Sequence, residues 1–358
     1  MPVWDAYPTD YRSEHVQPIL AATKAGESSA VVGLSGAGKS NLAGFLTHRV
    51  DWPGRWLLLD CNRLSEINDR GFLALLAETL GGGPESDLNA IEALVRDHLN
   101  ERSAGLALVI DRFEALDMDD YPQLATNLRA LRDTFKYQLT FVSMSRRIPD
   151  VQNELAELYY GNTHWIAALN NADARWSVSR YADRQGVRWG ADTQNALIEI
   201  SGAYPSLLRG CCEAFHQGGG LSFAELSQHT AVRRRLDEFW SEPPSQEALL
   251  QSRLASHELL LSARPDLQDI HRVRLTAKER VLLDILEQNP GRVLPKDQLI
   301  RAVWPEDQIY ESGVRDDSLA QLVRRLRKKI EPNPSEPEHI HTVSGRGYTY
   351  KGKVPPQG

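Results

Sequence analysis

Gly33-Leu34-Ser35-Gly36-Ala37-Gly38-Lys39-Ser40 fits the pattern GxxxxGK[ST], directly after the apolar run Ala30-Val31-Val32 and directly before the helical stretch Asn41-Leu42-Ala43-Gly44-Phe45-Leu46. In that order of strand, glycine-rich turn and helix, successive backbone N–H groups and a helix N-terminus converge on an anion. Lysine adds a cation that reaches the outer phosphates of a nucleotide, and the serine hydroxyl can ligate Mg²⁺. Gly33, Ser35, Gly36, Ala37, Gly38, Lys39, Ser40 and Asn41 are therefore the candidate phosphate contacts. A second metal-facing group should end a later strand, and the run Leu106–Asp111 ends in a carboxylate, so Ser40 and Asp111 form the candidate metal pair.

The residue after Asp111 is Arg112, where many ATPases carry a glutamate that orients the attacking water. The nearest acids are Glu114 and Asp117, so slow or partner-dependent hydrolysis is expected. Glu114 is the candidate base, with a solvated loop acid as the equally open alternative. The apolar run at 139–144 leads into Ser145, Arg146 and Arg147. A side chain there can sense a γ-phosphate, in cis or across a subunit interface. Arg146 is the candidate, and a surface arginine pair is the alternative.

Those residues need a scaffold of alternating elements. Apolar runs at 28–34, 56–60, 106–111, 139–144 and 164–169 alternate with helical patterns from Lys39, over 70–80, 88–99 and 121–137. This predicts an α/β domain with a parallel sheet covered on both faces. The β-like runs then stop, and helical patterns at 173–186, 192–201, 205–217 and 222–240 form an all-α subdomain. Adjacent prolines in Ser-Glu-Pro-Pro-Ser-Gln at 241–246 mark a linker. Two short strands, around 257–262 and 271–276, precede helices at 276–288, 295–303 and 313–330 and a terminal hairpin, which together make a winged helix. The expected domains are 1–170, 171–240, a linker at 241–250, and 251–358.

The 358 residues suffice for two or three domains at roughly 150 residues each. Hydrophobic residues at 41% and charged residues at 25% exclude collagen-like and wholly disordered classes. No apolar stretch is long enough to span a membrane, and the N-terminus lacks a basic segment followed by an apolar core, so a cytoplasmic location is expected. Cys61, Cys211 and Cys212 match neither zinc spacing nor a disulfide framework, and are expected as buried packing residues. The net charge of −7 hides an asymmetry: residues 251–358 carry 18 Lys and Arg against 15 Asp and Glu, whereas the first 250 carry 23 against 33. Basic residues that meet nucleic-acid phosphates must cluster, and the basic part is C-terminal.

On the helix at 313–330, Leu319, Leu322, Val323, Leu326 and Ile330 recur at spacings of three and four and form a buried stripe. The opposite face offers Ser318, Gln321, Arg324, Arg325 and Lys328 to DNA. Gln321 and Arg325 suit base edges, since Gln pairs with adenine and Arg with guanine. Arg324, Arg327, Lys328 and Lys329 suit phosphates or simply solvate the helix end. Arg346, between Gly345 and Gly347 at a hairpin tip, is placed for the minor groove.

With these motifs in view, the first 240 residues resemble the STAND branch of the AAA+-related P-loop NTPases. The likeness is carried by the phosphate loop, by Asp111 in VIDRFEAL, by Arg146, and by Gly202-Ala203-Tyr204-Pro205, which fits the branch's GxP lid motif. It implies ATP or ADP with Mg²⁺ as ligands and a lid that closes over the nucleotide, with Tyr204, Pro205 and Arg209 near it. It also implies a switch that holds ADP when off and forms a homo-oligomer with ATP. Residues 253–353 resemble the OmpR/PhoB-type winged-helix DNA-binding domain through 275–304, 316–331 and 339–350. That implies double-stranded DNA as partner, and a loop at 304–313 that can contact RNA polymerase. The expected function is an ATP-dependent transcription regulator whose assembly state controls DNA binding. The alternative is a DNA-associated ATPase, an initiator, transposition or defence component, that uses the winged helix as an anchor.

Overall fold

The computed structural model describes residues 3–85, 87–101, 104–116, 122–147, 157–159, 161–241, 243–263, 275, 277–303, 312–331, 333–334, 336–343 and 345–351. The chain divides into two compact units, Met1–Leu236 with Pro244–Ser262, and Asp237–Pro243 with Ala263–Gly358.

In the first unit five strands, β1 (Ser29–Val32), β2 (Arg55–Asp60), β3 (Leu106–Asp111), β4 (Leu139–Ser145) and β5 (Thr163–Trp165), form one parallel sheet in the order β2-β3-β4-β1-β5. Every residue of β1 and β3 is buried, so these strands read as unbroken apolar runs instead of alternating ones. The helices Asp69–Thr79, Leu88–Glu101 and Pro122–Thr134 cover one face with Phe72, Leu76, Ile91, Val95, Leu124 and Leu128, packed in one core with Leu108, Ile110 and Phe141. Parallel register aligns the carboxyl ends: Asp60 lies opposite Asp111, and Val32 opposite Ser145. Loops leaving those ends therefore share one edge of the sheet, the usual place for a ligand in open α/β folds. The apolar run expected as a strand through residue 169 stops at Trp165, although the Ile166 N–H still donates to Val32 O at 2.8 Å.

The helical subdomain comprises Asn171–Arg184, Ala191–Ser201, Pro205–His216, Phe223–Gln228 and Thr230–Trp240. The single helix expected over 222–240 is two, because His229 adopts an extended conformation with ψ 138°. Its Nδ1 accepts the Ala231 N–H at 3.3 Å, capping the second helix. Nothing in hydrophobic periodicity signals such a break, since both halves keep the same stripe. Cys61, Cys211 and Cys212 are free and buried, and burial pushes each thiol up to about 12, as packing residues require.

The N-terminal helix Ser13–Lys24 was not expected. It buries Val16, Ile19 and Leu20, and it follows Arg12, which sits in the left-handed region at φ 49°. Arg12 is only 1% exposed. Its backbone N–H donates to Asp173 Oδ2 at 3.0 Å, Nη2 donates to Ala37 O at 2.7 Å, and Nη1 to Ala167 O at 3.4 Å. One buried residue thus ties the N-terminal segment, the glycine-rich loop and the first helix of the subdomain together.

The second unit contains the helices Ala277–Glu287, Lys296–Val303 and Ser312–Ile330 and an antiparallel hairpin of β6 (Ile340–Val343) and β7 (Gly347–Tyr350). Leu319, Leu322, Val323, Leu326 and Ile330 are all buried, packed with Leu282, Leu286, Leu299 and Ile340. Leu294 and Tyr348 exchange backbone hydrogen bonds at 2.8 and 3.1 Å, so β7 also pairs with the segment between the first two helices. A Cβ on Gly347 would fall against Leu294 O, and its φ of 134° favours glycine independently. Glu331, at the end of the long helix, accepts from the N–H groups of Glu338, His339 and Ile340 at 2.7 to 3.1 Å, which fixes the hairpin to the helix.

Residues 244–262, expected as linker and as the start of the DNA-binding module, cluster with the first unit. They form the helices Gln246–Gln251 and Glu258–Leu261. The apolar run at 257–262 is therefore helical where a strand was expected; three consecutive leucines carry no period that separates the two, and the His257 cap decides. The strand expected at 271–276 lies outside the described residues apart from Leu275. Among the described residues no helix is long and apolar enough to cross a membrane.

Replacing Arg12 by alanine leaves the buried Ala37 carbonyl and the part-buried Ala167 carbonyl without these donors, a cost of about 2–4 kcal/mol. In urea unfolding of R12A, the transition of the first unit should weaken by that amount while the second unit's is unchanged. A change below about 0.5 kcal/mol, the range of ordinary surface substitutions, would show that these bonds do not matter in solution.

Candidate functional site

The glycine-rich loop leaves β1 with Gly33 N–H held by Ser145 O at 3.0 Å. Gly36 and Gly38 take φ of 81° and 88°, and Gly38 is the residue on which the helix Lys39–Arg49 starts. A side chain on either glycine would be strained, and a Cβ on Gly36 would collide with Ser206. The carbonyls of this loop are held in sequence. Lys39 Nζ donates to Gly33 O at 2.6 Å and Leu34 O at 3.3 Å. Tyr204 Oη donates to Ser35 O at 2.6 Å, the Ser206 N–H to Gly36 O at 3.1 Å, and Arg12 Nη2 to Ala37 O at 2.7 Å.

Around Lys39 the structure gathers four of the other residues singled out from sequence. Ser40 hydrogen-bonds the Asp111 carboxylate, whose other bond comes from the Arg112 N–H at 3.0 Å. Burial raises the Asp111 pKa, and these two bonds oppose the shift. Arg112 is left-handed at φ 56° and opens a 3₁₀ turn, Phe113–Ala115. Phe113 is buried against Phe72, and that anchor presents Glu114 to the site. Glu114 Oε1 pairs with Arg146 Nε at 3.3 Å, while its Oε2 is buried without a hydrogen-bond partner. Burial pushes the Lys39 ammonium down to about 8; Glu114 and Asp111 oppose this, and Arg146 and Arg112 reinforce it.

These donors fit a Mg²⁺–nucleotide. A nine-tenths buried lysine with only carbonyl partners gains from a polyphosphate, and the Ser40–Asp111 pair offers the two oxygens such an ion takes from this kind of loop. When bound, Mg²⁺ would neutralise phosphate charge. Asn41 is exposed on the first turn of the helix. Pro205 begins the helix Pro205–His216 beside Gly38. Arg209 is exposed, one turn beyond Pro205 on the same helix, and acts electrostatically on Tyr7 and Tyr181. Sequence reasoning missed Arg12 and Ser206. The signal for Arg12 was an arginine just ahead of the amphipathic spacing Val16, Ile19, Leu20; Ser206 acts through its backbone and gave none.

In the second unit Gln321, Arg324 and Arg325 are exposed on the long helix, and Lys328 is half-buried. The Ser318 side chain and the loop at 304–311 lie outside the described residues. Two neighbouring cations have internal duties. Arg327 donates to Ile340 O at 3.0 Å and Thr342 Oγ1 at 2.8 Å, and Lys329 pairs with buried Glu279 at 2.8 Å. Arg346 is exposed at the hairpin tip, where Gly345 has φ 68°.

Comparison with known proteins agrees with this division. Residues 23–151 match the family model described as AAA domain, and residues 271–350 the one described as transcriptional regulatory protein, C terminal. The chain is 38% identical over 102 residues to the sensory transduction protein RegX3 of Mycolicibacterium smegmatis, covering 26% of this chain and 43% of that protein. It is 31% identical over 130 residues to the transcriptional regulatory protein YcbL of Bacillus subtilis, covering 36% and 54%. The chain thus spans only about half the length of these curated relatives, or less. Among solved structures it is similar to the Walker-type ATPase PABY2304 of Pyrococcus abyssi, with TM-score 0.47 and 15% identity over 97% of this chain and 96% of that one. It is also similar to the ORC1 protein of Aeropyrum pernix in complex with DNA, with TM-score 0.48 and 12% identity over 96% and 89%. The chain therefore joins an AAA-type P-loop NTPase domain to a C-terminal winged-helix domain of the OmpR/PhoB transcriptional-regulator type.

Proposed function

We propose that this protein is a cytoplasmic ATP-dependent transcription regulator, in which ATP or ADP at the glycine-rich loop sets the assembly state and assembly places several winged helices on double-stranded DNA. The observation that carries this reading is the Arg146–Glu114 ion pair beside Lys39. Glu114, the candidate base, is engaged by the arginine proposed to meet a γ-phosphate, an arrangement suited to slow turnover and a long-lived bound state. Lys39 and Arg146 hold the phosphates, Ser40 and Asp111 the Mg²⁺, and Tyr204 and Pro205 the lid side of the site. Gln321 and Arg325 read bases, Arg324, Lys328 and Ser318 meet the backbone, and Arg346 enters the minor groove. Contact with RNA polymerase through 304–313 completes the reading. Bringing linked DNA sites together raises affinity without any new contact.

Light scattering on the full chain tests assembly: mass should grow with a non-hydrolysable ATP analogue, stay low with ADP, and stay low for K39A in both. A monomer throughout, with DNA-stimulated turnover above about 1 per second, ordinary for an enzyme, would favour the DNA-associated ATPase instead.

Proton linkage tests the lysine. With the free ammonium at about 8, part of the population is neutral at pH 8, and phosphate charge raises the bound-state value. Binding at pH 8 should therefore take up a fraction of a proton, seen as a buffer-dependent calorimetric enthalpy, and the uptake should fade towards pH 6.5. Buffer-independent enthalpy at pH 8 would show that Lys39 is already fully charged in the free protein and would overturn the burial-lowered pKa.

R325A should relax preference at one base position of each half-site, at a cost of about 1–3 kcal/mol in a selection-derived operator. Uniform weakening across sequences would make Arg325 a phosphate contact.

A further inference from the structure

Residues 244–262 carry more of the nucleotide unit than a tether needs. Leu249 and Leu254 are 1% exposed, and Leu259 and Leu260 are fully buried. Arg253, left-handed at φ 58°, acts electrostatically on His15 in the N-terminal helix, as does Arg12. His257 is the polar contact. Its Nε2 donates to Ser201 O at 2.8 Å, and its Nδ1 accepts the Leu260 N–H at 3.3 Å. Those opposite duties require the neutral ring with the proton on Nε2, and burial favours that neutral form.

The ring also touches the turn that the sequence singled out. It meets Tyr204 edge-on, with centroids 6.4 Å apart at 73°, and it fills the space a Cβ on Gly202 would take. Gly202 and Ala203 are both left-handed, at 57° and 55°, so a turn strained at Ala203 separates the Ser201 carbonyl from Tyr204. Tyr204 in turn holds Ser35 O, and Ser206 holds Gly36 O. The N–H groups that would bind phosphate and these carbonyls belong to the same short loop. A shift of that loop must therefore move Tyr204 and Ser206, and through the turn it reaches His257. Six residues beyond His257 the second unit begins.

We propose that residues 244–262 form a sensor strap, in which His257 reads the Gly202–Tyr204 turn, and so the occupancy of the glycine-rich loop, and relays it along the chain to the DNA-binding unit. This inference rests on the nucleotide-gated reading above and adds the residue that does the gating. His257 is a positioning residue; it touches neither phosphate nor DNA.

Two variants of the full chain separate the sensor contact from the cap. H257F keeps an aromatic ring and loses both hydrogen bonds; H257N keeps a good cap for Leu260 and is too short for Ser201 O. Both are measured for ADP and ATP-analogue affinity, and for affinity to a random-sequence duplex with each nucleotide. Both should bind nucleotide within about threefold of the parent, while the ratio of DNA affinities with ATP analogue and ADP falls from about tenfold, an ordinary allosteric coupling, to near one. Where nucleotide changes the DNA affinity of the parent chain, a parental ratio in H257N overturns the strap. Hydrogen exchange over 244–262 in the parent chain, with and without ATP analogue, judges the strap independently of DNA. Altered protection with no nucleotide effect on DNA supports the strap and refutes the gating, whereas unchanged protection overturns the strap.

Discussion

The carbonyl groups of residues 33–37 are the constraint on which the nucleotide unit depends. A peptide plane directs its N–H and C=O in opposite senses, so holding the carbonyls on one side of a tight turn presents the amides on the other. Lys39, Tyr204, Ser206 and Arg12 supply that hold, from the loop's own helix, the helical subdomain and the N-terminal segment. Three parts of the chain far apart in sequence thus converge on five consecutive carbonyls. Loop shape and subdomain placement then cannot vary independently.

Charge in the second unit is divided between structure and surface. Of the cations at the end of the long helix, Arg327 and Lys329 are engaged by the hairpin and by Glu279, and Glu331 gathers three backbone N–H groups of the hairpin approach. Gln321, Arg325 and Arg346 remain exposed. The same composition that gives the C-terminal third its positive balance therefore also ties the hairpin to the long helix.

The parts legible in the sequence are those with a period or a fixed spacing. Buried parallel strands appear as unbroken apolar runs, the stripe Leu319 to Ile330 follows helical spacing, and GxxxxGK[ST] places glycines where positive φ is needed. Contacts made by backbone atoms, or across more than a hundred residues, left no local trace. The partners of Arg12 could not be read from its place ahead of an amphipathic stretch, the amide of Ser206 belongs to no motif, and the break at His229 interrupts no stripe. The spacing placed Glu114 and Arg146 near the phosphate loop but gave no hint that they pair, since a loop acid and a strand-end arginine meet only once β3 and β4 are adjacent. The helices of 244–262 were obscured by the preceding prolines, which mark a bend in the chain without telling which unit the next residues join.

The central claim is that nucleotide at the glycine-rich loop governs DNA binding by the winged helix. Its most direct test is the affinity of the full chain for a random-sequence duplex at fixed salt, by fluorescence anisotropy, under saturating ADP and then under a saturating non-hydrolysable ATP analogue. The account predicts binding about tenfold tighter with the ATP analogue. Equal affinities in the two states would contradict it and leave two modules that merely share a chain.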